Sequence, residues 1–166
     1  MTAAEGNTMD GNLDFTLRAF PSTLRITGGR EIPFARAILS LHNAGGVTAA
    51  GVVPHATLSE ERGLVHDATE ALKRATAADS IQPGGELTWD VYDLLLAAHP
   101  GVASKVHLWG YKAALNWWID FTAWAEHREE AASPVRTGVS RWKLCWIPTG
   151  PSGEKIDLAV EAVESR

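Results

Sequence analysis

The groups able to do acid–base, metal or nucleophilic chemistry in this 166-residue chain are six histidines, 20 carboxylates and one cysteine. Their spacing argues against most of that chemistry. His42, His55, His66, His99, His107 and His127 form no HxxxH pair on a helix and have no cysteine pair beside them, so no metal and no cofactor is expected. Cys145 lies mid-strand between Trp142 and Trp146, where burial raises a thiol's pKa and quiets it. No G-x-S-x-G elbow is present, and Gly28-Gly29, Gly45-Gly46 and Gly84-Gly85 read as hairpin-like turns, not as phosphate loops. Carboxylate pairs such as Asp90/Asp93 and Asp120/Glu126 would suit a glycosidase only if they flank a cleft. A small hydrolase or sugar-acting enzyme, with Asp, Glu and histidines such as His55, His99 and His127 on loops, is therefore the alternative reading.

The stronger signal is aromatic. All seven tryptophans fall between Trp89 and Trp146. If residues 115–123 form a strand, Trp117 shares one face with Leu115, Ile119 and Phe121, while Trp118 and Trp124 lie on the other with Asn116, Asp120 and Thr122. Indole beside a carboxylate and amides suits stacking on a sugar ring or anchoring a protein. The candidate ligand-binding residues are accordingly Trp118, Asp120, Trp124 and Asn116, with Trp142 or Trp146 nearby. The competing arrangement packs an inserted helix over this face through Leu64 and Leu72, because large apolar patches are rarely left bare. Arg128, Arg136, Arg141 and Lys143 near Trp142 and Trp146 imitate a single-strand nucleic-acid platform. Glu126, Glu129, Glu130 and a net charge of −5 dilute that field, so no nucleic-acid partner is expected.

The elements that must position these residues are mainly strands. Residues 1–11 read as a disordered arm, and residues 12–163 as one domain. Leu13, Phe15, Leu17 and Ala19 alternate with polar neighbours, and Leu24 with Ile26 begins a second short run. Ala37, Leu39 and Leu41 alternate in the next strand, Asn43-Ala44-Gly45-Gly46 turns the chain, and residues 47–57 lead away. Ser59 as N-cap, Glu60 and Glu61 in a first turn, Leu64/Ala68/Leu72/Ala75 at helical spacing and a Glu70–Arg74 pair predict one amphipathic helix near 59–78. Leu87, Trp89 and Val91 restore the strand period, and Leu94–Leu96 continue it as an apolar run. His99-Pro100-Gly101 reads as a turn, with a short strand at Val106 and Leu108. Glu126–Gly138 reads as a polar loop with a helical turn near Trp124–Ala132. Trp142, Leu144 and Trp146 alternate in a clear strand, and Ile156, Leu158 and Val160 can pair back on it.

LSLHNAGGVTAA, residues 39–50, with Asn43, Gly45 and Gly46, resembles the strand–turn–strand of bacterial adhesion-related, immunoglobulin-like sandwich domains. Pro83, Gly84, Gly85, Glu86 and Trp89 resemble the later Pro-Gly-Glu-like turn before an aromatic strand. Together these motifs cover about a third of the chain. The resemblance implies a binding or scaffolding sandwich, although the helix after Ser59 is extra and that family is usually exported.

Composition agrees with a globular domain: 45% hydrophobic and 21% charged residues over a length that can bury a core. Residues 1–12 carry no basic and apolar leader pattern, and no stretch is apolar enough to span a membrane, so a cytoplasmic location is expected. The fold class expected is an all-β, immunoglobulin-like antiparallel sandwich with one inserted amphipathic helix. The function expected is a non-catalytic binding or assembly module with a protein or carbohydrate partner and no membrane partner.

Overall fold

The computed structural model describes residues 13–25, 29, 31–60, 65–76, 78–98, 117–129, 133–151 and 155–163. The arm at 1–11, the turn at His99-Pro100-Gly101, the strand near Val106 and Leu108, and Ile26, Leu64, Leu115 and Asn116 lie outside these residues. The structure is mostly β, in two antiparallel sheets with two short helices.

The smaller sheet has the order β1 (Leu13–Phe20), β4 (Arg36–Asn43), β7 (Glu86–Asp90). A two-stranded ribbon, β2 (Thr23–Arg25) with β3 (Glu31–Pro33), fills the connection from β1 to β4. The larger sheet runs β11 (Lys155–Val163), β10 (Ser140–Thr149), β8 (Trp117–Arg128), β5 (Ala50–Glu60), β6 (Val65–Asp67), with β9 (Val135–Arg136) also paired to β8. Both sheets turn alternate residues inward to one core. Leu39, Leu41 and Trp89 come from the smaller sheet; Leu58, Phe121, Leu144 and Trp146 come from the larger.

The Asn43–Gly46 turn is not a hairpin. The chain leaves the smaller sheet at Asn43 and enters the larger one at β5. Asn43 is buried and fixes this crossing. Its Nδ2 donates to the carbonyls of Val47 and Ile81, and its Oδ1 accepts from the Gly45 amide. Its backbone binds the second glycine turn: Asn43 N–H donates to Gly85 O, and Gly84 N–H donates to Asn43 O. Gly84 sits at φ 78°, a conformation that glycine adopts without a Cβ clash.

Strand β5 is longer than the sequence implies. Ser59 and Glu60 belong to it, opposite Asp120 and Ile119 of β8, so Ser59 caps no helix. Pairing on both sides, to β8 and to β6, outweighs the local helix-start signal. The helix α1 spans Thr69–Ala75; Asp67 Oδ1 accepts the Thr69 amide beside its start, and Lys73, not Arg74, reaches Glu70. Leu72 is buried in the shared core. Thr76 Oγ1 links the helix end to β7, donating to Leu72 O and accepting from Trp89 Nε1. The helix therefore plugs the core beside β5 and does not lie across Trp124.

A second helix, α2 (Val91–Ala98), replaces the expected continuation of the strand. Asp90 starts it: Oδ1 accepts the amides of Tyr92 and Asp93, while Oδ2 takes Arg36 Nη1 at 3.2 Å. A side-chain cap followed by Leu- and Ala-rich sequence favours helix over a fourth strand pair. Likewise β8 continues to Arg128 where a loop was expected, and β9 pairs with its end. Among the described residues no helix is long and apolar enough to cross a membrane.

Candidate functional site

Strand period and register together build the outer face of the larger sheet. In β8, Ile119, Phe121, Ala123, Ala125 and His127 are buried, and Asp120, Thr122, Trp124 and Glu126 point the other way, the division that the alternation predicts. Antiparallel partners share a face. Lys143, Asp120 and Ser59 therefore form one row across β10, β8 and β5, and Arg141, Thr122 and Thr57 form the next. Trp124 stands opposite His55, and Glu126 stands opposite Val53 and Arg136. The result is a polar, mixed-charge surface that carries the Trp124 indole.

That indole is occupied on both sides. The His55 ring stacks on Trp124 at 3.9 Å between centroids and 9° between planes. The Arg136 guanidinium carbon lies 3.7 Å from the same ring centroid. Two groups this close cannot share one face of a ring, so Trp124 is the middle layer of a His–Trp–Arg stack, held by π-stacking and cation–π attraction. His55 Nε2 is buried without a hydrogen-bond partner, with Glu126 Oε1 3.7 Å away. Burial lowers the His55 pKa below its ordinary value. Glu126 and Asp67 oppose that shift, whereas Lys73 and Arg136 add to it.

Beside this face β5 has an open stretch. Val52 N–H donates to Asp79 O, and Ala56 N–H to Thr69 Oγ1, so these amides point away from β8. Pro54 has the same parity and therefore costs the ladder no hydrogen bond; it also leaves no donor for an intruding strand. A cleft of about 610 Å³ opens there, lined by Val53, Pro54, Lys73, Thr76 and Asp79 among others. An extra residue at Gly51–Val52 forms a bulge opposite β8, with Gly51 at φ 57°.

The candidate residues separate. Asp120 and Trp124 share the outer face. Trp118 pairs with Cys145 in the register of β8 and β10. Asn116 lies outside the described residues. Trp142 does not belong to this surface: it is 7% exposed and packs inward on Phe121 at 5.9 Å, because its partner across the ladder is Phe121 itself. Trp146 is also inward, donating Nε1 to Ala35 O, so Arg141 and Lys143 point away from the two indoles they would need for a nucleic-acid platform. The sequence pointed to His55 only as a loop histidine and to Arg136 only as a basic residue near Trp142 and Trp146; it joined neither to Trp124. His55 shares a parity with Thr57 and Ser59, which places it outward, but nothing local shows that it meets Trp124.

The other chemical groups serve different positions. His55 and His127 lie in strands, not loops, and His127 is buried on the inward side. Asp120 and Glu126 are six residues apart on one strand, about 20 Å at strand rise, too far for a carboxylate pair. Asp90 and Asp93 both lie against Arg36, at 3.2 and 3.7 Å, and burial raises the Asp93 pKa, helped by Asp90 and opposed by Arg36. Glu60, buried at the end of β5, lies against His66, with Oε2 2.8 Å from Nε2. Among the described residues no group of three His, Cys, Asp or Glu is arranged to hold a metal ion. Compared with protein-family models, curated proteins and solved structures, this chain matches none of them.

Proposed function

We propose that this chain is a non-catalytic, immunoglobulin-like binding module that docks a protein partner on the outer face of its larger sheet. The observation that carries the reading is the His55–Trp124–Arg136 stack set among Thr57, Ser59, Asp120, Thr122 and Lys143. Stacked side chains cost little further conformational entropy on binding, and the flanking hydroxyls and charges give directional contacts. A protein fits better than a sugar, because a sugar ring stacks on a bare indole face and both faces of Trp124 are taken. The turn motifs at Asn43 and Pro83, shared with adhesion-related sandwiches, agree with a scaffold of this class.

Selection from a displayed protein library and a glycan array tests this directly. The expected result is a protein ligand whose affinity drops tenfold or more with Asp120→Lys or Thr122→Arg, while the melting temperature is unchanged. Glycan hits that depend on Trp124, or ligands indifferent to both substitutions, would overturn it. The hydrolase reading retains one supporting observation, the buried Glu60–His66 pair, which has the composition of an acid–base dyad. Turnover of ester or glycoside probes that is abolished by Glu60→Gln would favour it.

A further inference from the structure

We propose that two copies of this chain join edge to edge through β1, antiparallel and centred on Thr16. This surface belongs to the smaller sheet and is independent of the docking face above. In the sheet order β1-β4-β7, β1 pairs with β4 along all eight of its residues; no described strand hydrogen-bonds to its other edge, and β11 of the larger sheet packs near it. The remaining edges are shorter or engaged at one end: β7, the far edge of the smaller sheet, has five residues. Strand β6 has three residues, the open stretch of β5 carries Pro54, and β11 is engaged at Ile156, whose carbonyl accepts the Ala35 amide. Strand β1 has no proline and no bulge in its register with β4.

Its own sequence selects the partner. Asp14, Thr16, Arg18 and Phe20 point outward and are exposed; Phe15 and Leu17 point inward but stay only partly buried, packed against the core from a strand paired on one side. A two-fold axis perpendicular to the sheet keeps both cores on the same side, and requires residue i to face its symmetry mate at equal parity. Centred on Thr16, that operation sets Asp14 against Arg18 of the second copy, and Arg18 against its Asp14. On the inward side it sets Phe15 against Leu17, and Leu17 against Phe15, covering the apolar edge left open in one copy. Shifting the centre to Phe15 faces Asp14 with Thr16, and shifting it to Leu17 faces Asp14 with Phe20; neither pairs the charges. Edge charges ordinarily discourage strand addition, but here they are self-complementary in one register only.

Sedimentation velocity over a concentration series decides the matter. The wild-type chain is expected to show a concentration-dependent dimer that weakens with salt. Asp14→Arg alone and Arg18→Asp alone each oppose like charges twice and should weaken dimerisation about tenfold or more. Mixing the two single variants restores attraction at both pairs and should give a heterodimer, as should the swap Asp14→Arg/Arg18→Asp with itself. Both residues are exposed, and circular dichroism of each variant reports that the fold is retained. A chain that stays monomeric at all concentrations, a dimer indifferent to these charges, or variants that fail to complement one another would overturn the proposal.

Discussion

The Asn43 side-chain amide donates to the Ile81 carbonyl at 2.8 Å, across 38 residues of sequence, and so joins the exit from β4 to the segment that leads into β7. The same amide reaches Val47 O at 2.9 Å, within the crossing between sheets. Asn43→Ala removes both donors and the acceptor of the Gly45 amide, leaving the Ile81 carbonyl with the Ala49 amide alone. A loss of about 2–4 kcal/mol is expected in urea denaturation, with the m-value unchanged. Asn43→Asp should cost at least as much, since its carboxylate would face the two carbonyls.

Trp142 and Asp120 stand on opposite sides of the same pair of strands, and their substitutions should differ accordingly. Trp142→Ala opens a cavity against Phe121 and is expected to cost about 3–5 kcal/mol. Asp120→Ala, on the exposed outer row, should change stability by less than about 0.5 kcal/mol. Equal losses in thermal melts would mean that the face assignment is wrong.

The bulge at Gly51 makes its backbone a specific requirement. Gly51→Ala places a Cβ at φ 57° and should destabilise by about 1 kcal/mol, while Gly46→Ala, where a Cβ meets nothing within 4 Å, should be close to neutral. Chemical denaturation of the two variants side by side checks the contrast.

His55 gives the fold a signature in acid. Its pKa is lowered chiefly by burial, so the folded state favours the neutral ring. That contribution is complete above the ordinary value of 6.5 and is lost as the pH falls through the lowered folded value. The charged groups acting on it are Glu126 and Asp67, which favour protonation, and Lys73 and Arg136, which oppose it. The melting temperature of the wild-type chain should fall from pH 7 toward pH 5, and His55→Gln should flatten the slope. An unchanged slope in the variant would remove His55 as its source.

Arg36 joins β4 to the start of α2 through Asp90 and Asp93, and its guanidinium lies 5.2 Å from the Tyr92 ring centroid. Arg36→Met keeps part of the packing and removes the charge, so a loss of about 1–3 kcal/mol is expected. Asp93→Asn should cost less, because Asp93 is mostly exposed and its ion pair is longer. The two melting curves compared at one pH test the order.

Much of this architecture was legible because half-buried strands carry their own period. Leu13–Ala19, Ala37–Leu41, Leu87–Trp89, Ile119–Phe121 and Trp142–Trp146 all alternate, and all lie in strands. Asn43-Ala44-Gly45-Gly46 announced a turn, but turn residues do not say which sheet the next strand will join. Ser59-Glu60-Glu61 mimicked a helix start, since the pairing that keeps Ser59 and Glu60 in β5 is to residues 119 and 120, far along the chain. Val91–Ala98 is apolar enough to suit either state, and the deciding feature, Asp90 capping Tyr92 and Asp93, is a single side chain. For the site, parity put Asp120 and Trp124 together on the outer face. Their neighbours His55 and Arg136 depend on the register of β5 and β9 against β8, which no local pattern encodes. Trp142, expected near the Trp124 face, instead turns inward with Leu144 and Trp146, the side that its alternation with Arg141 and Lys143 assigns to it.

The hydrogen bond from Trp146 Nε1 to Ala35 O spans 111 residues, and beside it the Phe34 ring stacks on Trp146 at 6.2 Å. Contacts this far apart in sequence slow folding, because the intervening loop must close before they form. During synthesis at about 5–20 residues per second, Trp146 is made roughly 6–20 s after Ala35. Until then Phe34 has only the edge of Tyr92 against it, and β4 lacks the strands that complete its core. Early arrest of the nascent chain should therefore leave a protease-sensitive N-terminal half, with protection arriving only once β10 has cleared the ribosome.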